Sequence, residues 1–239
     1  MERASPRKTR GLADTDGNMG DDGRAAPSSV LSGLPAAERA HAARVLAACR
    51  ERTLESRVPH FRGAFPNDAF LAIETGFVVL RASADSASRS VITCEAGPGR
   101  LAMPPSPEEV LVALTTASVF VVDATARAEL LKVPAIAERI VEQLTHALER
   151  KQAAIANMAS PRHAERLRRR LLQLGETYGH VVRDGIRIDF PLSHALLAEM
   201  IGSSRETVTR ALDELQRSGF VARDGGTYRL LVSPATVAV

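Results

Sequence analysis

Between Ser193 and Leu230 the chain collects side chains suited to reading the edge of a base pair. Arg205, Glu206, Thr209 and Arg210 stand in the run Gly202-Ser203-Ser204-Arg205-Glu206-Thr207-Val208-Thr209-Arg210. At helical spacing Val208, Ala211, Leu212 and Leu215 fall at i, i+3, i+4 and i+7, a stripe to bury. That leaves Arg205, Glu206, Thr209, Arg210 and Asp213 on the opposite side. Arginine pairs bidentately with guanine, and glutamate accepts from the cytosine amino group. A helix with such residues at its N-terminal end suits the major groove. Two blander roles compete for the same residues. Ser203 and Glu206 have the spacing of a capping box, in which Glu206 satisfies the helix's own amide. Arg210 could pair with Glu206 or Asp213 in solvent.

The flanking elements favour the groove-reading role. Ser193 is placed to cap a short helix carrying Leu196, Leu197, Met200 and Ile201, and Gly202 ends it, since glycine readily takes the left-handed conformation of a sharp turn. The second helix starts at once. A Gly225-Gly226 hairpin follows, so the segment predicts a helix-turn-helix with a wing. Upstream, His180–Asp184 and Ile186–Phe190 predict another hairpin. The candidate DNA-contacting residues are Arg205, Glu206, Thr209, Arg210, Ser204, Ser193, His194 and Arg169. Arg169 belongs to a basic run with Arg166, Arg168 and Arg170, whose contacts with DNA would be to phosphate.

Charge supports this placement. Lys and Arg against Asp and Glu number 5 and 5 over residues 1–28, 14 and 14 over 29–159, and 12 and 9 over 160–239. The whole net charge of +3 therefore lies in the last third, a placement that suits phosphate contact.

The rest of the chain must carry and pair these helices. Residues 1–28, rich in Gly, Asp, Ala and Arg, predict a disordered tail. Ala36–Ala48 suits a short helix. Over 52–125, β-prone pieces at 70–73, 77–81, 90–94, 110–114 and 118–122 alternate with turn clusters at 66–68, 83–88, 97–99 and 104–107. This spacing predicts a small antiparallel barrel or sandwich. From Pro134 the period changes: Ala137, Val141, Leu144, Leu148, Ile155 and Met158 repeat at 3,4 spacing, with Lys151 as the one polar intruder. A seam so narrow favours helix-to-helix dimerisation, and a core helix on the barrel is compatible with it on another face. Pro161 interrupts the pattern. Arg162–Tyr178 predicts the next helix.

The segment Gly202–Arg210 resembles the recognition segment of the Crp-Fnr superfamily, the cyclic-AMP receptor protein and its relatives. The resemblance runs over about residues 30–234 and is densest from residue 160 onward. Glu74-Thr75-Gly76-Phe77-Val78 and Gly97-Pro98-Gly99 stand where family members have similar turns. It implies an α+β fold with an N-terminal antiparallel β-roll of the cyclic-nucleotide-binding type, a long dimerisation helix and a C-terminal winged helix-turn-helix. The corresponding divisions are 1–28, 29–133, 134–159 and 160–239. It also implies that Arg205, Glu206 and Arg210 read the bases of a GTGA-like half-site. The expected function is a sequence-specific transcription regulator acting as a homodimer on double-stranded DNA, with RNA polymerase as a further partner. The alternative is an architectural protein that coats DNA with little sequence preference.

The effector end departs from the family. Cyclic-nucleotide binders carry Gly-Glu near the start of a phosphate cassette and Arg-Ser near its end. Here Gly99 is followed by a short, Pro-rich stretch, and Glu108-Glu109 stands where the phosphate-binding arginine belongs. Lys151 and Gln152 take the places of hydroxyl residues that face adenine. Regulation by cyclic AMP is therefore not expected. Two cysteines, Cys49 and Cys94, are too few for an iron–sulfur cluster, and the six histidines form no haem-ligand set. They read as small buried residues, with a redox-sensing thiol as the alternative. No cofactor or metal is implied. Nor is an enzyme, for the chain shows no GxSxG, HExxH, P-loop or GxGxxG. No apolar run reaches the roughly 18 residues of a membrane helix, so the expected location is cytoplasmic.

Overall fold

The computed structural model describes residues 29–82, 90–158, 160 and 162–232. The predicted tail, the 83–88 turn cluster and the break at Pro161 lie outside them. Helix α1 (Ala36–Ala48) turns Ala42 and Leu46 inward. Two four-stranded antiparallel sheets follow. The first is ordered β1-β8-β3-β6 (Arg50–Leu54, Ala117–Val122, Phe70–Thr75, Leu101–Ala102). The second is ordered β2-β7-β4-β5 (Pro59–His60, Glu109–Ala113, Val78–Ala82, Val91–Ala96). Leu54, Leu71, Ile73, Leu80, Leu111 and Val119 fill the space they enclose. This is the expected β-roll.

Four of its elements were not anticipated, for physical reasons. In β1 the sequence Arg-Glu-Arg-Thr-Leu buries only its last residue, and β2 and β6 are two residues long. Neither case can generate a period. Helix α2 (Ala124–Leu131) follows β8 directly, and Asp123 caps it by accepting from the Ala126 N–H at 2.9 Å. At Gly76 the backbone has φ 77°, and a Cβ there would stand 2.5 Å from the Thr116 carbonyl oxygen. The tight turn therefore demands glycine.

Helix α3 (Pro134–Met158) carries two apolar faces. Ile136 and Ile140 are buried against the roll. Gln143, one turn beyond Ile140, accepts from the Leu101 N–H at 2.8 Å and donates to the Gly99 carbonyl at 2.9 Å. Those bonds tie the helix to β6. The other face exposes Val141, Leu144, Leu148 and Ile155, with Leu148 at 58% and Ile155 at 71%.

The C-terminal unit comprises α4 (His163–Tyr178), β9 (Gly179–Val182), β10 (Gly185–Ile188), α5 (His194–Ile201), α6 (Arg205–Arg217), β11 (Val221–Asp224) and β12 (Thr227–Leu230). Its strands form one antiparallel sheet, β11-β12-β10-β9. The core does not stop at the domain edge. Val79, Ile92 and Val112 of the roll pack in one cluster with Leu171, Leu197, Met200 and Leu212. Beside it, Phe77 meets Phe190 and Tyr178 at ring separations of 5.0 and 5.6 Å. A buried ion pair completes the junction, with Arg170 Nη2 2.5 Å from Glu95 Oε2.

Candidate nucleic-acid interface

Local chemistry places the two helices of the motif. The Ser193 hydroxyl accepts from the Leu196 N–H at 3.1 Å and so caps α5. Gly202 closes that helix at φ 61°. The next cap is Ser204, whose Oγ accepts from the Thr207 N–H at 3.2 Å. This corrects the capping-box alternative. Ser203 sits one residue too early to cap, and its buried hydroxyl faces His163 Nδ1 at 3.2 Å. Glu206 is therefore a first-turn residue on the exposed surface. Its negative charge suits the positive end of the helix dipole.

Helix α6 buries Val208, Ala211, Leu212 and Leu215, the anticipated stripe. Arg205, Glu206 and Arg210 are exposed. Thr209 is less free. Its hydroxyl donates to the Arg205 carbonyl at 3.0 Å and stands 2.9 Å from His194 Nδ1. With the hydroxyl proton committed to the carbonyl, Nδ1 must be the donor to Thr209. His194 thus bridges the two helices, with Nε2 on the far side of its ring. Burial holds its pKa below the ordinary value, and the charges of Arg223 and Arg205 lower it further. Arg223 lies on β11, in the wing, and sequence reasoning passed over it. The Gly225-Gly226 turn beside it was the available signal.

The basic run on α4 does not form a stripe. Arg170 is buried against Glu95. Arg166 donates to the carbonyls of Ser160 and Ile201, and Arg168 stacks 5.0 Å over the Phe220 ring. Arg169 is exposed, 2.9 Å from Glu165. Helical geometry spreads four nearly consecutive residues around the axis, so a run in sequence is not a patch in space. Arg162 and Arg168 instead share an open groove with Thr207 and Arg210.

At the effector end, Glu108 is exposed and Glu109 buried. The Glu109 carboxylate accepts from Thr93 Oγ1 at 2.5 Å and from the Ser106 N–H at 3.1 Å, and Lys151 Nζ lies 3.9 Å away. Burial pushes its pKa up, but these donors and the lysine outweigh burial and hold it below the usual carboxylate value. A negative charge thus stands on β7 where the resemblance would place a phosphate ligand, and Lys151 answers it. Cys49 and Cys94 are buried, and burial pushes both thiols up to about 11. At neutral pH they carry almost no reactive thiolate. No helix among the described residues is long and apolar enough to cross a membrane.

Residues 165–234 match the model of the Crp-like helix-turn-helix domain. Over 93 residues the chain is 37% identical to the global nitrogen regulator of Synechococcus elongatus, covering 39% of this chain and 42% of that protein. Over 92 residues it is 28% identical to the CRP-like cAMP-activated global transcriptional regulator of Mycobacterium tuberculosis, covering 38% and 41%. The matched segment thus spans less than half the length of these curated relatives. The structure is similar to that of a CooA variant from Carboxydothermus hydrogenoformans. The TM-score is 0.65 and the identity 20%, and the match covers 82% of this chain and 88% of that one. Sequence thus identifies a Crp-like helix-turn-helix domain at residues 165–234, and the chain as a whole shares the fold of the CooA variant.

Proposed function

We propose that the chain is a sequence-specific, DNA-binding transcription regulator that acts as a homodimer on a palindromic operator with GTGA-like half-sites. One observation carries this reading. The exposed N-terminal end of α6 presents Arg205, Glu206 and Arg210 together, while its opposite face is buried. The exposed seam of α3 supports the homodimer, since a two-fold protein matches a palindrome with half-sites about one helical turn apart. Ser193, Ser204, His194 and Arg169 would hold the flanking phosphates, and RNA polymerase is the further partner on this reading. The Glu109–Lys151 pairing supports a roll indifferent to cyclic AMP. The working divisions remain a roll at 29–133, a dimerisation helix at 134–159 and a DNA-binding unit from 160.

Titration of wild type, Arg205→Ala and Arg169→Ala against selected and scrambled duplexes at two salt concentrations tests this. Arg205→Ala should cost about 1–3 kcal/mol on the selected site and relax preference at one base pair. Arg169→Ala should weaken both duplexes alike and flatten the salt dependence. Equal weakening of both duplexes by Arg205→Ala would put the architectural reading first.

A further inference from the structure

Where the roll, α3 and α4 meet, a pocket of about 330 Å³ is lined by Arg100, His146, Arg150, Gln173, Glu176 and Thr177, among others. Its residues on α3 (His146, Glu149, Arg150 and Ala153) lie 100° or more around the helix from Lys151. The pocket is therefore separate from the Glu109–Lys151 pairing. Most charges at its rim are already answered: Glu142 pairs with Arg139, and His146 stands between Glu142 and Glu149. Two cations are not. Among the described residues, the half-buried side chains of Arg100 and Arg150 have no hydrogen-bond or ion-pair partner, and Arg150 Nε is fully buried without one. Burial weakens the hold of Arg100 on its proton, and the charges of Arg150 and Arg139 add to this against the opposing effects of Tyr178 and Glu142. Arginine presents fixed donor forks that match carboxylate or phosphate oxygens, and leaving them buried without an acceptor is unfavourable.

We propose that this pocket binds a small organic anion, phosphate- or carboxylate-bearing, between the Arg100 and Arg150 guanidinium groups. Gln173 and Thr177 offer hydrogen bonds to its neutral polar groups. Glu176 lines the same pocket, and its carboxyl is a natural partner for a hydroxyl or ammonium on the same ligand. The ligand would touch the roll through Arg100, the long helix through Arg150 and the DNA-binding unit through α4. Its regulatory meaning rests on the regulator reading above, whereas its binding does not.

Calorimetric titration of the full chain with pyrophosphate and with citrate, alongside thermal unfolding, tests the pocket. Saturable binding of one anion per chain is expected from at least one probe, and which probe wins separates phosphate from carboxylate. Arg100→Gln and Arg150→Gln should each weaken that binding about tenfold or more. Arg44→Gln, at an exposed site on α1, should leave it unchanged. Without anion, Arg100→Gln should melt no lower than wild type, because it removes a like charge. The proposal is overturned if neither anion binds saturably, if binding survives both pocket variants, or if anion-free Arg100→Gln is destabilised. Duplex titration of the same proteins keeps the two readings apart. Intact base discrimination without anion binding removes the pocket alone, and anion binding without base discrimination removes the regulator alone.

Discussion

His194 shows how one hydrogen bond assigns a proton and, through it, a pH dependence. Its Nδ1 is committed to Thr209, which leaves Nε2 for a phosphate. In the free protein, burial and the charges of Arg223 and Arg205 favour the neutral ring. A phosphate reverses that preference, so binding takes up a proton and affinity should rise as pH falls from about 7.5 toward 6. Folding stability moves the other way. A pKa lowered in the folded state lets the unfolded chain bind the proton first, so stability is lost as pH falls below about 6.5. His194→Gln should flatten the affinity profile, measured by anisotropy at constant salt. Equal slopes in wild type and variant would show that no phosphate reaches the ring.

Among the elements, α3 carries one apolar face against the roll and a second, exposed one. Ile136, Ile140 and Gln143 fasten it to the roll, while Val141, Leu144, Leu148 and Ile155 face outward. Both were legible, because a 3,4 repeat and a core stripe can share one helix. Leu148→Glu should scarcely alter the stability of a single chain, since the side chain is exposed there, yet it should abolish self-association. Light scattering should give twice 25.6 kDa for wild type and once for the variant. A variant that stays dimeric would remove the seam from the interface. Helix α6 was equally legible, because its stripe, cap serine and the preceding Gly202 are all local signals. What escaped was set by distant partners. Ser203 lost the cap to Ser204 and turned to His163, and Arg223 came near His194 only through the fold of the wing. Arg166, Arg168 and Arg170 found carbonyls, a ring and a carboxylate that no spacing announces.

At the scale of the whole molecule, the question is what holds the DNA-binding unit at one angle to the roll. Apolar packing of Val79, Ile92 and Val112 against Leu171, Leu197 and Met200 supplies adhesion but little direction. Direction comes from polar contacts: Glu95 with Arg170 at 2.5 Å, Arg81 with Glu199 at 2.9 Å, and Tyr178 Oη on the Glu95 carbonyl at 3.4 Å. The Glu95–Arg170 pair is 4% and 3% exposed, so removing one partner strands a charge away from water. Arg170→Met should therefore cost about 3–5 kcal/mol. A double variant, Arg170→Met with Glu95→Leu, should return to within about 1 kcal/mol of wild type, because two apolar groups of similar size fill the site without a stranded charge. Urea midpoints measure both. The double variant should nevertheless lose the fixed angle between roll and helix-turn-helix. On duplexes whose half-sites are moved by one or two base pairs, wild type should lose affinity sharply and the double variant less so. If both proteins keep the same spacing preference, the Glu95–Arg170 pair contributes stability without direction, and the remaining contacts set the angle.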